Sequence, residues 1–191
     1  MARICVFCGS SAGARPAYAE AARAVGAELA QRGVGLVYGG GHVGLMGAVA
    51  DAALEGGGEA IRVIPESLVA RELAHGGLTE LLVVPSMHER KARMALLADA
   101  FLALPGGYGT LDETCEALTW TQLGIQSKPC GLLNVEGYFD PLLEFLDRAV
   151  REGFLAPENR AILRVGTDPS SLIERLLVER LSEIPPGWTR S

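Results

Sequence analysis

Pro105-Gly106-Gly107-Tyr108-Gly109-Thr110-Leu111-Asp112-Glu113 follows an apolar run, Ala100-Phe101-Leu102-Ala103-Leu104, and opens an apolar-periodic stretch, Leu111 to Leu123. The run reads as a buried strand and the stretch as a helix. A glycine-rich turn between strand and helix offers bare backbone N–H groups to an anion. The amides of Gly107, Gly109 and Thr110 and the Thr110 hydroxyl are the candidate donors, and the helix end adds roughly +0.5 of an elementary charge. The same turn delivers the Glu113 carboxylate into the first helical turn. A phosphate cradle beside a carboxylate suggests an enzyme acting on a nucleotide or sugar phosphate.

Two further small-residue turns follow apolar runs: Gly9-Ser10-Ser11, and Gly39-Gly40-Gly41-His42-Val43-Gly44. One such turn is weak evidence, because tight strand–helix connections use glycine anyway. Three on one edge favour a nucleotide site. None is followed by Gly-Lys-Ser/Thr, so none is a P-loop. None shows G-x-G-x-x-G with an acidic residue ending the next strand, which argues against a dinucleotide cofactor. A fourth element, Ser86-Met87-His88-Glu89-Arg90-Lys91, follows another apolar run. Ser86 is placed to cap a helix. Arg90 and Lys91 then stand in its first turn, where the helix dipole disfavours cations. A bound anion would explain them, and we prefer that to a solvated basic turn pairing with Glu89.

Other residues read as structural. His42 and His88 lack metal-ligand spacing, so no metal is expected, and His88 reads as a wall residue rather than a base. Trp120 reads as core and Glu116 as an exposed helix carboxylate. Asp112 points about 100° away from Glu113 on the helix.

The elements that must position these residues alternate in type. Strands are expected at Arg3–Cys8, Gly35–Tyr38, Ala60–Ile64, Glu80–Val84, Ala100–Leu104, Cys130–Val135 and Ala161–Val165. Helices are expected at Pro16–Arg32, Leu45–Glu55, Met87–Ala98, Leu111–Leu123, Phe139–Glu152 and Pro169–Arg180. Strands without alternation, separated by helices, imply a parallel sheet covered on both faces. The fold class is therefore α/β, a Rossmann-like open parallel sheet with helices on both faces. Ligands of such sheets bind beyond the carboxyl ends of the strands. Pro65 to Thr79 carries no firm assignment; a short helix or part of a pocket wall fits it.

With 191 residues, one domain over residues 1–184 and a tail over 185–191 are expected. The chain is 49% hydrophobic and 21% charged, ample for one core, and its formal net charge of −6 argues against a nucleic-acid partner. Cys5 and Cys8 form a C-x-x-C inside a strand, where residues three apart face opposite sides; we read them as buried reduced thiols. With no signal peptide and no apolar run near 18 residues, no membrane partner and a cytoplasmic location are expected.

Pro105–Glu113 resembles the P-G-G-x-G-T-x-x-E signature of the LONELY GUY (LOG) family, and Met87-His88-Glu89-Arg90-Lys91 its M-H-x-R-K element. The similarity extends over Phe7–Ser11, Gly39–Gly41, Thr119–Gly124 and Gly131–Phe139, most of residues 3 to 165. It implies a cytokinin riboside 5′-monophosphate phosphoribohydrolase, which cleaves the N-glycosidic bond of N6-modified AMP to free base and ribose 5-phosphate. It implies a dimer or larger assembly, here a homodimer, without metal or other cofactor, and a catalytic pair that corresponds here to Arg90 and Glu113. The substrate- and phosphate-binding set is then Gly9, Ser10, Ser11, Gly40, Met87, Lys91, Gly106, Gly107, Tyr108, Gly109 and Thr110. Many relatives carry a lysine decarboxylase label; with only Lys91 and Lys128 available for a Schiff base, the sequence gives it little support. A general AMP nucleosidase and a non-catalytic nucleotide carrier or sensor are the alternatives.

Overall fold

Ile4, Cys5 and Val6 are all buried, although alternate residues of a strand face opposite sides. Both faces of the first strand are therefore covered, as its unbroken apolar run requires. A computed structural model describes residues 1–69 and 77–178. Its strands are β1 (Arg3–Phe7), β2 (Gly35–Tyr38), β3 (Ala60–Pro65), β4 (Glu80–Val84), β5 (Ala100–Ala103), β6 (Cys130–Leu133) and β7 (Leu163–Gly166). Its helices are α1 (Pro16–Gln31), α2 (Gly44–Glu55), α3 (Glu66–Val69), α4 (Met87–Leu97), α5 (Tyr108–Gln122), α6 (Asp140–Arg151), α7 (Pro157–Arg160) and α8 (Pro169–Val178).

The seven strands form one sheet in the order β4-β3-β2-β1-β5-β6-β7, and every neighbouring pair is parallel. On one face Ile4, Val6, Leu36, Tyr38 and Leu102 pack against α1, α2 and α8. On the other, Cys5, Phe7, Val37, Val63 and Phe101 pack against Met94 and Ala95 of α4 and Ala117 of α5. Cys5 lies in β1 and Cys8 one residue beyond its end; the two fall in different clusters, on opposite faces as expected, and burial raises the pKa of both thiols.

The strand order turns at β1, which lies between β2 and β5. From β1 the chain passes to α1 on one face, and from β5 to α5 on the other. Helices that leave neighbouring strands toward opposite faces open a crevice between their first turns. The two turns touch at its floor, where the Gly9 N–H donates to the Pro105 carbonyl at 3.0 Å.

The expected elements are recovered with shifted ends. Helix α5 starts at Tyr108 rather than Leu111, so Gly109 and Thr110 lie within its first turn. Strand β6 stops at Leu133, and Val135–Gly137 forms a single 3-10 turn. The unassigned segment contains α3, and a further short helix, α7, precedes β7. The tail expected at 185–191 lies outside the described residues.

Gly26 of α1 lies directly against the α2 backbone: a Cβ there would lie 2.2 Å from the Val49 carbonyl oxygen and 2.9 Å from the Ala53 nitrogen. Alanine normally favours a helix interior over glycine by about 1 kcal/mol. Here overpacking, at about 1–3 kcal/mol, reverses that sign. Gly26→Ala should lower the urea midpoint; a raised midpoint would contradict this packing.

Candidate active site

Ser86 caps α4, its hydroxyl accepting from the Glu89 N–H at 3.2 Å. Arg90 consequently stands one turn into the helix and reaches across the carboxyl edge of the sheet. Its Nη1 donates to Glu113 Oε1 at 2.7 Å, and its Nε to the Val63 carbonyl, near the end of β3, at 3.2 Å. The two side chains are only 11% and 12% exposed. A cation at the positive end of a helix thus finds its anion inside the protein. Glu113 thus gives Arg90 a partner without a bound anion, in the pairing the family resemblance implied. Burial raises the pKa of Glu113 above the ordinary glutamate value, outweighing the opposing pull of Arg90.

The glycines after β2 have a different task from the phosphate turn expected. A Cβ on Gly39 would lie 1.8 Å from Arg90 Nη2, so the guanidinium occupies the space a side chain would take. Gly40 is buried, adopts φ +96°, and lies against the side chain of Arg62, itself 1% exposed. The Gly40 α-carbon therefore faces an arginine, not the crevice.

The glycines before α5 divide in two. Gly106 packs on Thr110, whose Oγ1 would lie 2.1 Å from a Cβ at that position, and Thr110 is 3% exposed. Its hydroxyl is held beneath the turn, not presented as a free donor. Gly107, Tyr108 and Gly109 are exposed, and a Cβ on either glycine would meet open space.

A cleft of about 350 Å³ opens at the β1/β5 switch point, lined by Gly9, Ser10, Ser11, Gly106 and Gly107 together with Tyr18, Leu45 and Tyr138. Of the three glycine-rich turns, the first and third line this cleft, and the second ends against the first, where the Leu45 and Met46 N–H groups donate to the Gly9 carbonyl at 3.1 and 3.4 Å. Glu113 borders a separate hollow of about 10 Å³ among Phe7, Lys91, Phe101, Glu116, Ala117 and Trp120, on the opposite face of the sheet. Tyr18 and Tyr138 were not singled out from the sequence. Gly13 (φ +74°), whose Cβ would strike the Tyr18 ring, was the available signal for the first.

Lys91 also departs from expectation. Its ammonium bonds Asp112 and Glu116 at 3.1 Å each, tying α4 to α5. Burial opposes its charge, but the two carboxylates outweigh it and raise its pKa. Glu116 is therefore an ion-pair partner, not a solvated carboxylate. Met87 is exposed, and its Sδ accepts from Arg90 Nη1 at 3.4 Å. His88 is exposed, and Trp120 packs partly buried against the core, as expected of it.

The chain is 53% identical over 186 residues to the cytokinin riboside 5′-monophosphate phosphoribohydrolase LOG of Oryza sativa subsp. japonica, covering 97% of this chain and 75% of that protein. It is 53% identical over 174 residues to LOG7 of Arabidopsis thaliana, covering 91% and 80%. This chain belongs to the LOG family. A family model described as "Possible lysine decarboxylase" matches residues 46–176. The lysines of this LOG chain do not fit that description: Lys91 is held by two carboxylates, and Lys128 donates to the Ala95 carbonyl at 2.6 Å beside the amino end of β6. Neither lines the glycine-rich cleft. Among solved structures, the LOG fold here resembles the molybdenum cofactor carrier protein of Chlamydomonas reinhardtii (TM-score 0.71, 23% identity, 93% of this chain and 99% of that one). It also resembles the molybdenum cofactor binding protein of Rippkaea orientalis (TM-score 0.69, 24% identity, 91% and 93%). At these identities the likeness is one of fold.

Gly39→Ala should displace Arg90 from Glu113 and cut turnover roughly 100-fold, as misplacement by about 1 Å can. Gly41→Ala is the control, because its Cβ would meet Met46 at an ordinary 3.5 Å. Equal turnover in the two variants would show that Gly39 does not set the Arg90 geometry.

Proposed function

We propose that this chain hydrolyses the N-glycosidic bond of cytokinin riboside 5′-monophosphates, N6-modified AMP, to the free base and ribose 5-phosphate. The observation that carries the reading is the buried Arg90–Glu113 contact of 2.7 Å at the carboxyl edge of the sheet. Family membership at 52–54% identity supports the same activity.

Cleavage of a ribosyl–purine bond passes through an oxocarbenium-like state. A carboxylate beside the sugar stabilises the positive charge, and a base activates the attacking water. Glu113 serves both purposes in this reading. Arg90 holds Oε1 and so fixes the plane of the carboxylate; Oε2 makes no hydrogen bond among the described residues and is the acceptor for water. The water oxygen bonds to the anomeric carbon as the base departs with a proton. The 5′-phosphate is taken by backbone N–H groups of Gly107 to Thr110 at the α5 N-terminus, with Ser10 and Ser11 across the cleft. Lys91 is left out of this cradle: its role is to hold α5 against α4. Gly40 is likewise left out, as a seat for Arg62.

We also propose a cytoplasmic homodimer built on one domain over residues 1–184. The buried free thiols of Cys5, Cys8 and Cys130 support a reducing compartment. The amphipathic α6, with Phe145 65% exposed, and Phe154 beyond it, 89% exposed, support a contact with a second copy. No helix among the described residues is long and apolar enough to cross a membrane.

The test is incubation with N6-isopentenyladenosine monophosphate and, separately, AMP, with chromatography of the released base. Faster release of isopentenyladenine supports the cytokinin reading. Comparable rates point to a general AMP nucleosidase. Nucleotide binding without release of either base points to a carrier. Glu113→Gln should lower turnover by about 100-fold or more with normal folding, the loss expected of a catalytic carboxylate.

The acid limb of kcat/KM should lie above the ordinary glutamate pKa of about 4.3. The sign follows from burial: a raised pKa means that Glu113 takes up its proton at higher pH, and protonation removes both functions assigned to it. A limb below about 4 would remove Glu113 from this role.

A further inference from the structure

Glu136 is the one non-glycine residue at positive φ among the described residues, at φ 48° and ψ 35°. Gly137 follows at φ 72°, and a Cβ there would lie 2.5 Å from Asp140 Oδ2. Two successive left-handed residues bend the chain back on itself. A bulky residue in that region costs free energy and persists only where its surroundings over-determine it. Those surroundings are explicit. Arg15 Nη1 donates to Glu136 Oε2 at 2.9 Å from the start of α1. Asn134 closes the bend, donating from Nδ2 to Asp140 Oδ1 at 2.7 Å and accepting from the Phe139 N–H at 2.8 Å.

The residue this bend delivers is Tyr138. Its hydroxyl donates to the Gly106 carbonyl at 2.7 Å, and its ring meets Tyr18 edge-on at 5.6 Å and Phe139 at 4.9 Å. Three contacts on a residue still 41% exposed leave the ring little freedom. A planar trans peptide points its C=O and N–H in opposite directions. A hydroxyl that holds the Gly106 oxygen therefore holds the Gly107 N–H as well. Gly107 is exposed and a Cβ there would meet open space; its carbonyl accepts from the Leu111 N–H at 3.1 Å, and the Tyr138 bond is the side-chain contact that holds the other end of the Gly106–Gly107 peptide.

We infer that Tyr138 is a positioning residue for the anion-binding turn: its hydroxyl, aimed by the Glu136–Gly137 bend, orients the Gly106–Gly107 peptide toward the substrate phosphate. The inference rests on the phosphate reading of the cleft given above. Tyr138 does not border the hollow beside Glu113, so its effect falls on binding of the phosphate rather than on the bond-breaking step.

The test is Tyr138→Phe, which keeps the ring and removes the hydroxyl, assayed on a nucleoside monophosphate and on the corresponding riboside, with inorganic phosphate as competitor. Loss of one hydrogen bond should raise KM for the monophosphate about threefold to tenfold and weaken phosphate competition by the same factor. With kcat changed less than KM, the lost interaction is one made equally in the ground and transition states. The preference for monophosphate over riboside should shrink accordingly. Unchanged KM and phosphate competition would overturn the inference. So would an equal loss on both substrates, which marks a general structural defect. A wild-type protein with no preference for the monophosphate and no inhibition by phosphate would instead overturn the phosphate reading itself, and the inference with it.

Discussion

A guanidinium and a carboxylate buried together at the end of the sheet are the constraint on which the rest of the site depends. Removing two ions from water costs several kcal/mol each, and only good geometry with further hydrogen bonds offsets it. Arg90 meets that condition through Glu113 Oε1 and the Val63 carbonyl, in space left by the absent side chain of Gly39. One ion pair thus ties together β2, β3, α4 and α5. The Ser86 cap belongs to the same arrangement, because it sets where α4 begins and hence where Arg90 stands. The second link between α4 and α5, Lys91 with Asp112 and Glu116, holds the two helices that carry the pair.

Sheet topology supplies the other half of the site. Because α1 and α5 leave β1 and β5 toward opposite faces, their first turns stand apart and their backbone amides line a cleft. The glycines there are used in opposite ways. Gly106 is small because Thr110 packs on it, whereas Gly107 and Gly109 leave space in front of the helix end. The cleft and the ion pair lie on opposite faces of the sheet and meet only across its carboxyl edge.

Much of this was legible locally. Unbroken apolar runs alternating with helical patterns, as in Arg3–Phe7 and Pro16–Gln31, specify a doubly covered parallel sheet because burial on both faces leaves no room for alternation. The alternation of Cys5 and Cys8 between faces follows from the strand period. The helix start at Tyr108 is harder to read: glycines at 106, 107 and 109 look like an extended turn, yet Gly109 sits in the first turn of a helix whose Thr110 is buried against Gly106.

The sequence by itself determined the fold class, because unbroken apolar runs alternating with helical periods leave only a doubly covered parallel sheet, and its two motifs carried the family resemblance that the relatives bear out. The tertiary structure decided what each group faces. The resemblance paired Arg90 with Glu113, but only the packing of α4 beside α5 sets their 2.7 Å contact. Gly39 and Gly40 looked like a phosphate turn until two arginines were found against them. Lys91, Glu116 and Tyr138 acquired their partners in the same way. The reason is common to all: each contact joins residues that are distant along the chain and brought together only by sheet order, and no local pattern encodes that distance.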